Sequence, residues 1–272
     1  MSKRIISGLV GAAFVLILLC FDQSYPAFLN LCTAAVSFLA VKELFTVINV
    51  PLKSWQAIIS LIFAVALPLF SNNICQQTWW YIYTVGTFAG AMLKPEIKLK
   101  DICAIYMMTG VIAFSLAHII LLRDFGGEYG TFYAMLGLAT AWMSDTGAYF
   151  SGKMFGKNKL CPEISPKKTI EGFLGGIVVC VISLVLIAFI FNNFIFASKC
   201  QINYIWIIII GLIGSPISAF GDLCFSMIKR RCKVKDFGNL MPGHGGVLDR
   251  FDSVIFTVPF VYIFVNIIHI IK

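Results

Sequence analysis

The sequence predicts an all-α, polytopic integral membrane protein, and two observations lead to that fold class. Hydrophobic residues make up 59% of the 272 positions and charged residues only 12%, whereas a soluble domain carries about 25% charged residues. The apolar residues form long runs that do not alternate with polar ones, which indicates helices and not the strands of a membrane barrel. A helix also satisfies its own backbone hydrogen bonds inside a bilayer.

Nine segments qualify as transmembrane helices because each offers a long apolar run. Their approximate bounds are residues 5–21, 27–48, 55–70, 79–93, 102–122, 131–151, 173–197, 203–227 and 253–270. The third and fourth segments are the shortest. The first segment follows Lys3 and Arg4 and so resembles a signal peptide. It continues into polar residues without a small-residue cleavage pattern, and we therefore expect a retained first helix.

The lysine and arginine residues predict the orientation of these helices. If the N-terminus is cytoplasmic, 18 of the 21 Lys and Arg residues fall on the cytoplasmic side and only Arg123, Lys199 and Lys272 on the other. Cytoplasmic loops are enriched in these residues. We therefore expect a cytoplasmic N-terminus and a C-terminus on the opposite side. We also expect an inner (plasma) membrane location, because the chain is short and shows no long soluble extension. A basic cytoplasmic face also attracts anionic lipid headgroups and polyphosphates.

Polar chemistry is distributed unevenly along the chain. The first five predicted spans contain few ionisable residues, and these lie at helix ends, whereas such residues become frequent between positions 142 and 252. We therefore predict an N-terminal transmembrane scaffold of five helices, residues 1–130. Residues 131–272 form the predicted catalytic region, with four helices and two basic cytoplasmic loops.

Cysteine and histidine offer no metal site of the zinc type. The nine cysteines are scattered, without a CxxC pair or ligand spacing, so we expect neither disulfides nor bound zinc. His118 and His269 lie in apolar spans and are expected to be packed, and only His244 lies among polar residues.

Four aspartates fall at a similar predicted depth, close to the cytoplasmic membrane surface. Acidic residues inside membrane spans are costly and mark functional sites. Carboxylates that converge at one depth suit Mg²⁺, which binds one or two carboxylates together with substrate phosphates and water. The candidate metal ligands are therefore Asp145, Asp222, Asp249 and Asp252.

One helix face combines three of the polar groups. Asp222, Ser226 and Lys229 stand at i, i+4 and i+7, which places them on the same side of the eighth span. Two structural roles remain open for the aspartates. Asp222 could have a purely structural role, as the partner of Lys229 or Arg250 in an ion pair. Asp249 and Asp252 could serve merely to cap the final helix, whose N-terminus favours negative charge.

Two inner loops carry groups that suit phosphates. In the loop 152–172, Lys167 and Lys168 precede the seventh helix, and a helix N-terminus beside lysines attracts anions. Enrichment of lysine in cytoplasmic loops would explain them equally well. The loop 228–252 begins with basic residues and ends in the run GHGG, in which glycines let backbone N–H groups approach a phosphate.

These parts together indicate phosphoryl or nucleotidyl transfer. Such reactions depend mainly on positioning and on neutralising the charge of the phosphates. Metal ions and Lys or Arg side chains supply both. Because the predicted site lies at the membrane surface, we expect one amphiphilic substrate with a phosphate or hydroxyl head and one soluble nucleotide.

A long motif gives the sequence a specific resemblance. The pattern S-x-x-K-R-x4-K-D-x-G-x3-P-G-H-G-G-x-x-D-R-x-D runs from Ser226 to Asp252. It resembles the signature of the phosphatidate cytidylyltransferase family, also called CDP-diacylglycerol synthases. The upstream stretches SDTGAYFSGKMFGK and ISPKKTIEG resemble the same family. The resemblance covers the catalytic half well and the first half only by hydropathy.

The resemblance implies a reaction and its cofactors. Phosphatidate and CTP would give CDP-diacylglycerol and pyrophosphate, a step of phospholipid biosynthesis, with Mg²⁺ required and K⁺ sharing the metal centre. The enzyme would be a membrane homodimer that binds membrane lipid and no nucleic acid. Asp222 and Asp249 are the implied metal ligands, with Asp145 and Asp252 as further ligands or their hydrogen-bonding partners.

Roles for single residues follow as a hypothesis from that reaction. The residues expected to act in catalysis are Asp222, Asp249, Lys229, Arg250 and His244. The residues expected to bind substrate are Lys167, Lys168, Ser226, Arg230, Lys235, Gly243, Gly245 and Gly246. Neither a strong general base nor a covalent intermediate is expected, because a phosphate monoester is already an anion.

Two other functions compete with this one. A CTP-dependent lipid kinase of the polyprenol or phytol type would need a similar basic loop and cation, but it would transfer the γ-phosphoryl group. A transporter would use the intramembrane acids directly. Transporters usually bind their substrate near the membrane midplane, whereas the acids of this sequence cluster near one surface.

Overall fold

A computed structural model describes residues 25–70, 73–93, 98–196, 200–240 and 245–271, and most of them are helical. The helices are α1, Pro26–Val47; α2, Trp55–Leu69; α3, Asn73–Leu93; α4, Leu99–Gly126; α5, Gly130–Phe155; α6, Ile170–Ile190; α7, Tyr204–Arg231; α8, Leu248–Phe251; and α9, Val254–Ile267. A 3₁₀ turn, Gly127–Tyr129, separates α4 from α5, and a π-helical turn, Phe191–Ile195, extends α6.

The helices lie where the sequence predicts them. A helix occupies each of the eight predicted spans that fall in the described ranges, and the predicted span 5–21 lies outside them. Helix α6 begins three residues early because the Thr169 hydroxyl accepts the N–H of Gly172 at 3.1 Å and caps the helix.

Within the described residues, five helical stretches are long and apolar enough to cross a membrane. They are Ala27–Val47, Leu99–Phe155, Ile170–Ile195, Tyr204–Arg231 and Leu248–Ile267, and the second, with 57 residues, contains both α4 and α5. Helix α2 is apolar but shorter. These stretches support an all-α membrane protein, and the count of nine spans stays a prediction.

Backbone contacts divide the chain into two units. The first unit is Met1–Gly127 with Arg231–Phe251, and the second is Glu128–Arg230 with Asp252–Lys272. The segment that follows α7 therefore packs with the N-terminal helices. The division into a scaffold, residues 1–130, and a catalytic region, residues 131–272, stays a prediction about function.

Stacked aromatic side chains form the core of the first unit. The ring of Tyr83 on α3 stacks on Phe63 of α2, with centroids 4.2 Å apart, and on Tyr106 of α4 at 5.1 Å. The buried Tyr83 hydroxyl shares a hydrogen bond of 3.1 Å with Ser60. A buried tyrosine needs such a polar partner, and this contact fixes α2 and α3 against each other.

Small residues bring two helices of the second unit into backbone contact. A Cβ placed on Gly172 of α6 would lie 2.8 Å from the carbonyl oxygen of Ala148 on α5, and one on Gly176 would lie 2.9 Å from that of Ser144. Glycine at helix interfaces permits this close approach in membranes. Helix α5, which carries Asp145, is therefore held firmly against α6.

The loop that precedes α6 is more regular than expected. Strands β1, Lys159–Cys161, and β2, Ser165–Thr169, pair antiparallel with Lys159 opposite Thr169. The carboxylate of Glu171 accepts the backbone N–H groups of Lys157 and Asn158 at 3.0 and 3.1 Å. The fold is thus mostly helical with one small hairpin, and the predicted anion-binding lysines lie on β2.

Candidate active site

Three of the four predicted metal ligands lie together in the second unit. Asp145 comes from α5, Asp222 from α7 and Asp252 from the residue pair that precedes α9. Ser218, one helical turn before Asp222 on α7, and Ser253, next to Asp252, both donate to Asp145. We call these three residues the aspartate cluster.

Serine hydroxyls orient one member of the aspartate cluster. The carboxylate of Asp145 accepts hydrogen bonds from the hydroxyl of Ser253 at 2.7 Å and from that of Ser218 at 3.3 Å. Ser253 is buried, and its backbone N–H donates to Asp252 at 2.9 Å. A single residue therefore contacts two of the three carboxylates.

Two lysines offset the negative charge of the cluster. Lys168 Nζ lies 2.7 Å from Asp222 Oδ2, and Lys229 Nζ lies 3.9 Å from Asp252 Oδ2. The Ser226 hydroxyl donates to the other oxygen of Asp222 at 3.2 Å, as expected from their shared helix face. Asp222 therefore forms an ion pair with Lys168 of β2, a partner other than Lys229 and Arg250, which the sequence suggested.

The donor set of the cluster fits Mg²⁺. The cluster consists of carboxylates with serine hydroxyls beside them, and hard cations prefer such oxygen ligands. Within the described ranges, no three Asp, Glu, His or Cys side chains form a ready-made cage for one ion. Mg²⁺ does not require one, since one or two carboxylates with substrate phosphates and water complete its shell.

The fourth predicted ligand, Asp249, lies in the first unit and orders a loop. Its Oδ2 accepts the backbone N–H of Phe237 at 2.8 Å and that of Gly246 at 3.0 Å. Gly245 has φ +83°, a left-handed conformation that favours glycine. We call the described residues 236–240 and 245–248 the glycine-rich loop. Gly243 and His244, both predicted site residues, come between these two stretches in the sequence and lie outside the described residues.

A second carboxylate contacts the same loop and was missed by the sequence reasoning. Glu43 of α1 accepts the backbone N–H of Val247 on Oε1 and that of Leu248 on Oε2, both at 2.9 Å. The available signal was that Glu43 is the lone acid in the apolar segment 27–48. Glu43 lies near the end of its predicted helix, where charged residues are common, and the sequence therefore did not single it out.

The remaining predicted side chains lie mostly at the surface. Arg230 donates from Nε to the carbonyl oxygen of Ile164 at 3.4 Å. Those with exposed side chains are Lys167, Arg230, Lys235 and Arg250. Exposed cations at these positions are compatible with contacts to a polyphosphate.

One of the two histidine predictions is wrong. His118 is buried, and its Nδ1 lies 2.7 Å from the carbonyl oxygen of Phe114, as expected for a packed residue. His269 is exposed, because α9 ends at Ile267 and His269 follows in extended chain.

The fold and the site together define a helical membrane protein with carboxylates and lysines in one cluster. Such clusters are typical of membrane proteins that bind cations or phosphates. The chain belongs to the cytidylyltransferase family, whose model matches residues 2–268. The resemblance carried by the sequence motif is therefore confirmed.

Individual relatives give the same picture. The chain is 47% identical over 135 residues to the phosphatidate cytidylyltransferase of Bacillus subtilis, a match that covers 50% of this chain and 48% of that protein. The enzymes of that name from Staphylococcus saprophyticus and Staphylococcus aureus strain COL are 44% and 46% identical over 131 residues, 48% of this chain and 47% of each relative. The chain thus spans about half the length of the curated relatives it matches.

The Ser253 hydroxyl should stabilise the aspartate cluster. A hydrogen bond to a charged group contributes about 1.5–3 kcal/mol. Ser253→Ala should lower the free energy of unfolding in detergent by about that amount, measured by denaturant titration. The control is Ser37→Ala, whose hydroxyl is equally buried but has no hydrogen-bond partner among the described residues. Equal losses in the two variants would contradict the assignment.

Proposed function

We propose that this protein is a phosphatidate cytidylyltransferase, which transfers CMP from CTP to phosphatidate and releases pyrophosphate. The observation that carries the proposal is the aspartate cluster with Lys168 and Lys229 beside it, in a chain of the cytidylyltransferase family. The relatives that bear this name support the choice of substrates.

The proposed reaction is an in-line displacement at phosphorus. A phosphate oxygen of phosphatidate attacks the α-phosphorus of CTP and forms the new P–O bond. The bond from the α-phosphorus to the bridging oxygen breaks, and pyrophosphate leaves with that electron pair. Since the nucleophile is an anion, the protein has to position the substrates and neutralise their charge.

The proposed roles follow from the contacts in the site. Asp222 and Asp252 would hold Mg²⁺, with Asp145 oriented by its serines as a third oxygen donor, and Asp249 stays a proposed ligand. Bound Mg²⁺ neutralises phosphate charge, and a shared K⁺ is part of the same proposal. The exposed cations Lys167, Arg230, Lys235 and Arg250 would attract the polyphosphate.

An assay with position-labelled CTP tests the function. Purified protein in nanodiscs containing phosphatidate should move label from the α-phosphate into lipid and label from the γ-phosphate only into pyrophosphate. The lipid-kinase alternative requires the opposite outcome, with γ-label in lipid. No CTP consumption in the presence of phosphatidate and Mg²⁺ would contradict the proposal.

Replacement of one carboxylate should uncouple Mg²⁺ from turnover. Asp222→Asn keeps the shape of the side chain but removes the charge, and we expect kcat/KM to fall about 100-fold or more. Half-maximal activity should then require a higher Mg²⁺ concentration. The control is Asp101→Asn, an exposed aspartate in the first turn of α4. Near-normal Mg²⁺-dependent turnover of Asp222→Asn would exclude this residue as a ligand.

We also propose nine membrane crossings with a cytoplasmic N-terminus, and the homodimer implied by the resemblance stays a prediction. An odd number of crossings places the two termini on opposite sides. Protease added to intact spheroplasts should therefore remove a C-terminal tag and leave an N-terminal tag in place. Equal sensitivity of the two tags would show an even number of crossings.

A further inference from the structure

We propose that Glu43 is a positioning residue that fixes the glycine-rich loop for the reaction, an inference that rests on the proposed function. Glu43 lies on α1, a 22-residue helix outside the recognised motif. Its two carboxylate oxygens accept the N–H groups of Val247 and Leu248, more than 200 residues further along the chain.

Two carboxylates hold the loop through four backbone amides. Asp249 accepts the N–H groups of Phe237 and Gly246 on one oxygen, while Glu43 accepts those of Val247 and Leu248. Hydrogen bonds to an ionised acceptor are roughly twice as strong as neutral ones. Asp249 directly follows the loop in the chain, on α8, so it acts from a neighbouring position. Glu43 ties the loop to a long helix.

Two motif glycines make room for the Glu43 carboxylate. A Cβ added at Gly238 would overlap Oε1, and one added at Gly246 would overlap Oε2. Any other residue at either position would displace Glu43 or the loop. The neighbouring Gly245 faces a different group, since its Cβ would lie 3.0 Å from Asp249 Oδ2. Glu43 therefore gives a physical reason for two glycines of the motif.

Glu43 would affect activity through the loop and would not itself touch the substrate. Lys235 precedes the loop and Arg250 follows it, both exposed and both proposed to attract polyphosphate. Loosening the loop moves both cations relative to the bound nucleotide, and small displacements of positioning groups are costly in rate. We expect the loss to fall on kcat and on the KM for CTP, with little change in the KM for phosphatidate.

The first test is Glu43→Gln, which replaces one acceptor oxygen by an NH₂ group facing a backbone N–H. The kcat/KM for CTP should fall about tenfold, as expected for the loss of one charge-assisted hydrogen bond. The amides of Val247 and Leu248 should exchange hydrogen about tenfold faster. The control Glu128→Gln, at an exposed glutamate, should match the wild type.

Amide exchange also separates positioning from general destabilisation. The N–H of Gly172, which is bonded to Thr169 in the second unit, serves as an internal reference. Faster exchange at Gly172 to the same degree would mean that Glu43 only supports the fold, and this would overturn the proposal.

The second test is a double-mutant cycle with Gly246. Gly246→Ala should lower kcat/KM sharply in the wild type, because its methyl group meets the Glu43 carboxylate. In a Glu43→Ala background that methyl group has room, so the further loss should be at least about fivefold smaller. Gly245→Ala meets Asp249 instead, and its effect should be the same in both backgrounds. Equal behaviour of the two glycines would contradict the proposal.

The outcomes distinguish this inference from the proposed function. If the wild type consumes no CTP, the proposed function fails, while exchange at Val247 and Leu248 still tests the Glu43 contact. If the wild type is active and Glu43→Gln has wild-type kinetics and exchange, the positioning role is wrong and the proposed function stands.

Discussion

The placement of three carboxylates, those of Asp145, Asp222 and Asp252, in one cluster is the constraint on which the candidate site of the second unit depends. Three carboxylates at short distance in a membrane protein cannot all stay ionised without compensation. Lys168 and Lys229 supply two positive charges, and the hydroxyls of serine residues supply hydrogen bonds. The close packing of α5 on α6 is needed because a shift of Asp145 would break both of its serine contacts.

The described ion pairs reach two of the three carboxylates, since Lys168 lies beside Asp222 and Lys229 beside Asp252. Charge attraction in a partly buried site is far stronger than in water. An added cation would therefore relieve the repulsion, and a cation that also binds phosphate would bring the polyanionic substrate to carboxylates that otherwise repel it.

The sequence predicted the helices and the cluster because both depend on local pattern and depth. Apolar runs mark the helices, and the similar predicted depth of Asp145 and Asp222 within helices and of Asp252 just before α9 indicated that these acids come together. The hairpin Lys159–Thr169 was not predicted, since its strands are short and polar. Glu43 was not predicted either, because its partners lie more than 200 residues away and no spacing rule connects them.

In the glycine-rich loop, backbone N–H groups bind carboxylates of the same chain. Glycines that expose backbone N–H groups were expected to serve a phosphate, yet the amides of Phe237, Gly246, Val247 and Leu248 all bond to carboxylates of the protein. An amide already satisfied by a charged acceptor gains little from a second one. In the described part of the loop these four amides are therefore engaged within the protein, and under the proposed function the contacts to phosphate would come from flanking side chains such as Lys235 and Arg250.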